Sequence, residues 1–187
     1  IKKPKASLRL AMVCKYVDRP DAYISVKEAL LHSGRSHQRD IEIEWIGAES
    51  IEEHGPAKYL DGVSGIVVPG GFGYRGVEGM IEAARYAREE NVPYLGLCLG
   101  LQVMVIEIAR HLLGCEDANS TEFSDDTSSP VIDLMPDQVG VDQKGGTMRL
   151  GAYPCSITTG TITHRAYGKD MVMERHRHRF EFNNAYR

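Results

Sequence analysis

The chain has 187 residues, enough for one domain with its own core and too few for two large ones. Apolar residues make up 42% and charged residues 26%, as in water-soluble globular folds, and the net charge of −4 excludes a general attraction to nucleic acid. No apolar run reaches membrane-spanning length, no apolar signal core follows Ile1-Lys2-Lys3-Pro4-Lys5, and Cys14, Cys98, Cys115 and Cys155 form no Cys-x-x-Cys, so no membrane contact and free thiols in a reducing cytoplasm are expected.

Residues 1–6 read as the tail of a linker, basic and with a proline. Ser7 to Cys14 is an apolar run of strand length. Pro20-Asp21 opens a helix with Asp21 at the N-cap, Ala22, Val26, Ala29 and Leu30 on its apolar stripe, and Gly34 at its end. Ile41 to Ile46 alternates almost strictly, as a strand with one exposed face does. Val63 to Val68 is a continuous apolar strand stopped by Pro69-Gly70-Gly71, and Glu78 to Glu90 is a helix with an outward charged face. Pro93 to Leu97 is a short strand, and Leu99 to Ala109 a buried helix; the apolar residues from Leu101 to Leu113 are assigned to the core. Thr121 to Gly146 is rich in Asp, Ser, Pro and Gly and should be loop with one short strand, Val131 to Leu134. Met148 to Ile157 and Met171 to Phe182 complete the pattern as strands of a less regular part. Strands alternating with helices imply an α/β fold: an open, mostly parallel sheet with helices on both faces and a few extra antiparallel strands.

Chemistry concentrates at Cys98. It stands between a strand and a helix, with Gly96 and Gly100 two residues to either side, the cysteine form of a nucleophile elbow. The sharp turn lifts the side chain off the sheet, and the glycines leave room for neighbouring backbone. The new helix aims N–H groups and its positive end at the sulfur, which favours the thiolate. Thiolate attack on an acyl carbon follows, with the oxyanion held by backbone N–H groups. The loop Pro69 to Gly76 ends the preceding strand and could donate one of them. It lacks the Lys-Ser/Thr of a P-loop, so nucleotide binding there is not expected. Cys14, Cys115 and Cys155 lack such surroundings and read as packing residues. On a strand, Arg175, Arg177 and Arg179 share one side and His176 and His178 the other, which suits one anion site. Two histidines with no evident third ligand do not make a metal site, so none is expected.

PGGFG at 69–73, GLCLGLQ at 96–102, ANSTEF at 118–123, GGTMRLG at 145–151 and ERHRHRFE at 174–181, with Lys15-Tyr16-Val17 and Asp21-Ala22-Tyr23, resemble the class I, triad-type glutamine amidotransferase domain of CTP synthases. The resemblance covers almost the whole chain, residues 7–187, in order. It implies hydrolysis of L-glutamine through a glutamyl thioester on Cys98 and supply of ammonia for the ATP-dependent amination of UTP to CTP. It further implies an oxyanion hole from Gly71 and Leu99, and a substrate site of Gly73, Leu99, Gly100, Leu101, Gln102, Glu122 and Arg179. No cofactor is implied for this domain. ATP and Mg belong to a synthetase domain of the same polypeptide, GTP is the family's effector, and the full-length protein is expected to be a homo-oligomer. The family triad continues with His-x-Glu. None of His32, His37, His54, His111, His164, His176 and His178 is followed by x-Glu, so the sequence reads as a fragment lacking the base, its orienting carboxylate and the synthetase domain. The alternatives are a non-catalytic regulatory module of the same fold and a related cysteine γ-glutamyl hydrolase.

Overall fold

The computed structural model describes residues 6–135 and 149–187; residues 1–5 of the expected linker tail and 136–146 of the turn-rich stretch lie outside the described residues, whereas Ala6, expected in the tail, already belongs to the first strand. The chain divides into two compact units, Ile1–Asp133 with Phe182–Arg187, and Leu134–Glu181.

The first unit is built on a parallel four-stranded sheet. Its strands are β1 (Ala6–Cys14), β2 (Arg39–Gly47), β3 (Gly65–Val68) and β4 (Tyr94–Gly96), in the order β2-β1-β3-β4. β3 is buried along its whole length, as a strand covered on both faces must be. β2 lies at the edge, and its alternation of exposed and half-buried residues follows the sequence pattern. Met12, Val13, Ile66 and Val68 form the middle of the core with Met80, Ile81, Leu99 and Ile106 from the helices.

The first helix corrects three expectations. Pro20–Tyr23 is a 3-10 turn, Asp21 makes no capping bond, and α1 (Ile24–Ser36) runs on through Gly34. Gly34 does not end the helix; it is buried because a Cβ there would stand 2.4 Å from Ile41 Cγ1. Val26 and Leu30 pack on the cluster of Met12, Cys14 and Tyr23, whereas Ala22 and Ala29 are exposed. Two short helices, α2 (Ala48–His54) and α3 (Ala57–Leu60), precede β3 and were not foreseen, since four to seven residues are too short to display a helical period. α2 packs against α4 (Val77–Glu89), where a Cβ on Gly79 would lie 1.9 Å from the Ala48 carbonyl oxygen.

α5 (Leu99–His111) follows Cys98 directly. Leu99, Val103, Ile106 and Ala109 are core, but Leu101, Leu112 and Leu113 are at least half exposed, contrary to the assignment of every apolar residue there to the core. Burial follows the face of the helix, which composition alone does not resolve. Glu107 of α5 is fully buried and takes two guanidinium bonds from Arg88 of α4, at 3.0 Å from Nε and 2.7 Å from Nη2, so its charge is compensated where water is excluded. Beyond α5, β5 (Asn119–Ser120) pairs parallel with β6 (Pro130–Leu134), the second being the strand expected there.

The second unit contains the antiparallel ribbon of β7 (Arg149–Ser156) and β8 (Met171–His178), joined through α6 (Ile162–Tyr167), whose N-cap Thr161 accepts from the His164 N–H. The strand expected from Met171 to Phe182 is broken at Arg179, and β9 (Phe180–Phe182) follows. Along β8 exposed and half-buried residues alternate strictly.

Candidate active site

From β1 the chain first adds β2 on one side and then β3 and β4 on the other, so the strand order reverses between β1 and β3. The carboxyl ends of the strands at such a point are where open α/β sheets bind ligands. Three segments leave the sheet there: Lys15 after β1, Pro69 to Gly73 after β3, and Cys98 after β4.

Cys98 has φ 54° and ψ −112°, a conformation that residues with a Cβ avoid and that persists only where the surroundings enforce it. The enforcing bonds are local. The Leu97 N–H donates to Val68 O at 2.9 Å, the Gly100 N–H to Leu97 O at 2.9 Å, and the Leu101 N–H to Cys98 O at 3.0 Å. A Cβ on Gly100 would lie 1.9 Å from Val68 O, and one on Gly96 2.4 Å from Gly100 O. Both glycines are therefore required by close backbone approach, as the elbow reading expects. The N–H groups of Gly100, Leu101 and Gln102 are all engaged inside the turn, which leaves Leu99 as the first-turn N–H directed at the sulfur.

The sulfur is half-buried beside the loop after β3. A Cβ on Gly70 would stand 3.2 Å from Cys98 Cβ and 3.5 Å from its Sγ, so this loop lies directly against the cysteine. The backbone N–H groups of Leu99 and Gly71 act on the thiol to pull its pKa down. Burial acts the other way and is the largest influence, the Glu122 charge adds to it, and the thiol ends above its ordinary value. The helix end was expected to favour the thiolate; its Leu99 N–H does pull the pKa down, but desolvation outweighs it. Cys14 is further from reactivity, fully buried and pushed up to about 11. Cys115 and Cys155 are half-buried free thiols.

Glu122, half-buried after β5, accepts the Gly73 N–H at 3.1 Å, so a carboxylate and a glycine that the motifs assign to one site meet at one side of the elbow. Gly73 has φ +74°, and a Cβ there would touch nothing within 4 Å. Lys15 was absent from the expected site residues. It is 6% exposed, its Nζ donates to the carbonyls of Phe72 (3.2 Å) and Gly73, and its stem packs against Gly71. The sequence shows only a lysine directly after an apolar strand; the strand order is what brings it to this site.

Arg179 belongs to the second unit. Arg175 and Arg177 lie on the exposed face of β8, and His176 and His178 alternate with them, half-buried. Arg179 is set apart from both arginines, half-buried in the break between β8 and β9, so the three guanidinium groups do not share one strand face as expected. The same bend brings Glu181 to the histidines: His176, His178 and Glu181 hold their ligand-type atoms within 4.8 Å of one another, a third candidate ligand that the sequence did not reveal. Glu181 is already paired with Arg149 at 2.7 Å, and that fixed positive charge opposes a cation there.

Residues 19–186 match the family described as glutamine amidotransferase class-I. The chain is 60% identical over 187 residues to a CTP synthase of Dehalococcoides mccartyi and 62% identical over 188 residues to one of Roseiflexus sp., in each case across all of this chain and 34% of the relative. It thus spans about a third of the length of these curated relatives. Among solved structures, the Trypanosoma brucei CTPS glutaminase domain with bound acivicin matches with a TM-score of 0.88 and 40% identity, over 96% of this chain and 69% of that one.

Proposed function

Because this chain belongs to the class-I glutamine amidotransferase family, we propose that it is the glutaminase part of a CTP synthase, hydrolysing L-glutamine and passing the ammonia to a synthetase domain of the same polypeptide. The observation that carries this reading is the half-buried Cys98 sulfur at a strained elbow, with N–H groups of Leu99 and Gly71 directed at it.

The Cys98 sulfur, as thiolate, attacks the side-chain carbonyl carbon of glutamine. The carbonyl electrons move onto oxygen, and the N–H groups of Gly71 and Leu99 hold that oxyanion. Collapse breaks the C–N bond, and ammonia leaves after taking a proton from the base. Water then attacks the thioester, releasing glutamate and restoring the thiol. Glu122 pairs with the substrate ammonium and Arg179 with its carboxylate, the charge types that an α-amino acid requires. Gly73, Gly100, Leu101 and Gln102 shape the remaining wall. The proton-transferring His-x-Glu pair that the resemblance implies is not among these residues. A thiol raised by burial makes that base necessary, because little thiolate exists before a proton is removed.

In the full-length protein, ATP and Mg serve the synthetase domain, GTP acts as effector, and the assembly is a homo-oligomer. The four free thiols suit a cytoplasmic setting, and no helix among the described residues is long and apolar enough to cross a membrane. Covalent capture tests the reading. An electrophilic glutamine analogue incubated with the full-length protein should add its mass to Cys98 alone, with glutamine protecting. Labelling at another cysteine, or none, refutes it.

A further inference from the structure

The proposed mechanism uses two groups of the loop after β3, the Gly71 N–H at the sulfur and the Gly73 N–H on Glu122, and neither explains what holds the loop in place. The backbone there is glycine-rich and has little side-chain packing of its own: Phe72 and Tyr74 are both more than half exposed. Lys15 is the buried polar group beneath it. Its Nζ donates to the carbonyls of Phe72 and Gly73, its Cδ lies 3.2 Å from where a Cβ on Gly71 would be, and Phe123, next to Glu122, places its ring 5.9 Å from the ammonium.

The geometry of the peptide plane gives this contact a consequence. A trans peptide points its carbonyl and its N–H in opposite directions. When the ammonium holds the Phe72 carbonyl, the N–H of the same peptide unit, that of Gly73, must face away from it, and there it meets Glu122 Oε1 at 3.1 Å. Lys15 sits on the inner side of this plane and Glu122 on the outer. We propose that Lys15 is a positioning residue for glutamine hydrolysis: through the carbonyls of Phe72 and Gly73 it fixes the loop so that the Gly71 N–H meets the oxyanion and Glu122 meets the substrate ammonium. This rests on the glutaminase reading of Cys98.

Lys15 is charged only in part of the accessible pH range. Burial lowers its pKa to about 8, against the pull of Glu122 from the loop after β5 and of Glu49 and Glu52 from α2, and with the push of Arg75 from the β3–α4 loop. Loss of that proton weakens the hold on both carbonyls, and kcat/KM, which reports the free enzyme, should fall on the alkaline side near that pH.

The test uses the full-length protein and glutamate release. Lys15→Met keeps an apolar stem and removes the ammonium; it should lower kcat/KM for glutamine roughly tenfold or more, with KM raised and kcat reduced, and abolish the alkaline limb. Lys15→Arg, which titrates far higher, should recover part of the activity and move the limb upward. Retention of wild-type kcat/KM by Lys15→Met, or a lowered kcat/KM with the limb unmoved, overturns the proposal. If Lys15→Met does not fold, Lys15→Arg carries the test, and a limb unmoved in that variant overturns it. A wild-type protein that releases no glutamate through Cys98 sinks the glutaminase reading instead, so the two failures are distinguishable.

Discussion

The strand ends around Cys98 and the β7–β8 ribbon hold their side chains by different means. At the elbow, backbone meets backbone: Gly96 and Gly100 admit neighbours that any side chain would exclude, and β3 beneath is fully buried. Along β8 of the ribbon, side chains alternate between exposed and half-buried, and among the described residues of the second unit only Ile157 is a buried hydrophobic. The first arrangement holds Cys98 and the neighbouring backbone N–H groups through close backbone contacts that leave little room to shift. The second presents charged groups whose surroundings are set by side-chain contacts, such as Arg149 stacked 4.1 Å over the Tyr153 ring. Acyl-transfer chemistry needs the first kind of precision, whereas recognition of a carboxylate tolerates the second.

Substitutions in the two regions should separate them. The largest effect is at the nucleophile: Cys98→Ser should reduce glutamate release by ~10⁴-fold or more, while Cys155→Ser on the ribbon should stay within about twofold. Comparable glutamate release by the two variants would break the contrast. Glycines come next. Gly100→Ala forces a Cβ to 1.9 Å from a backbone oxygen and should cost about 3 kcal/mol or more by chemical denaturation. Gly151→Ala on the ribbon meets nothing within 4 Å, and its φ of +105° should cost about 1–2 kcal/mol. Equal losses would mean that the elbow is less tightly closed than its geometry states.

Arginine variants separate the ribbon from the break that follows it. Arg179→Ala should raise the KM for glutamine by roughly tenfold, the loss of one charged hydrogen-bonding partner. Arg175→Ala, on the exposed strand face, should leave it within about twofold. A larger effect at Arg175 would move the carboxylate partner onto the strand. The smallest effect concerns the thiol. Burial, and after it the Glu122 charge, raise its pKa, so alkylation of Cys98 by neutral iodoacetamide should be slow at pH 7 and rise through the alkaline range. Glu122→Gln removes one raising influence and should speed that alkylation by about two- to fivefold at pH 7. No change would show that Glu122 and the sulfur do not sense each other. Cys14, pushed up to about 11, should stay unlabelled in both proteins.

Much of the parallel sheet was legible because its signals are local. The continuous apolar run ending at Val68, the alternation of Ile41 to Ile46 and the glycines around Cys98 each encode one element without help from distant residues. The site was legible to the extent that motif residues carry their own geometry: Gly71, Leu99, Gly73 and Glu122 were named from their motifs, and the structure places Leu99 and Gly71 beside the Cys98 thiol and the Gly73 N–H on Glu122. Gly34 was misread because a glycine required for contact with Ile41 looks the same in sequence as one that ends a helix. The break at Arg179 was missed because alternation continues across it in the sequence while the backbone turns.

By itself the sequence determined the elbow, since a strand, a cysteine between spaced glycines and a buried helix admit few other local structures. It also determined the family, because several motifs in order are far more specific than any one of them. The upward push on the Cys98 thiol comes instead from packing, because it depends on how much water the folded loops exclude. The same holds for Lys15: one lysine among the 22 basic residues becomes a candidate support of the site because β1 ends beside β3 and its ammonium comes to rest under the Phe72 and Gly73 carbonyls. Burial and hydrogen bonding between residues some sixty positions apart belong to the fold, and no local pattern records them.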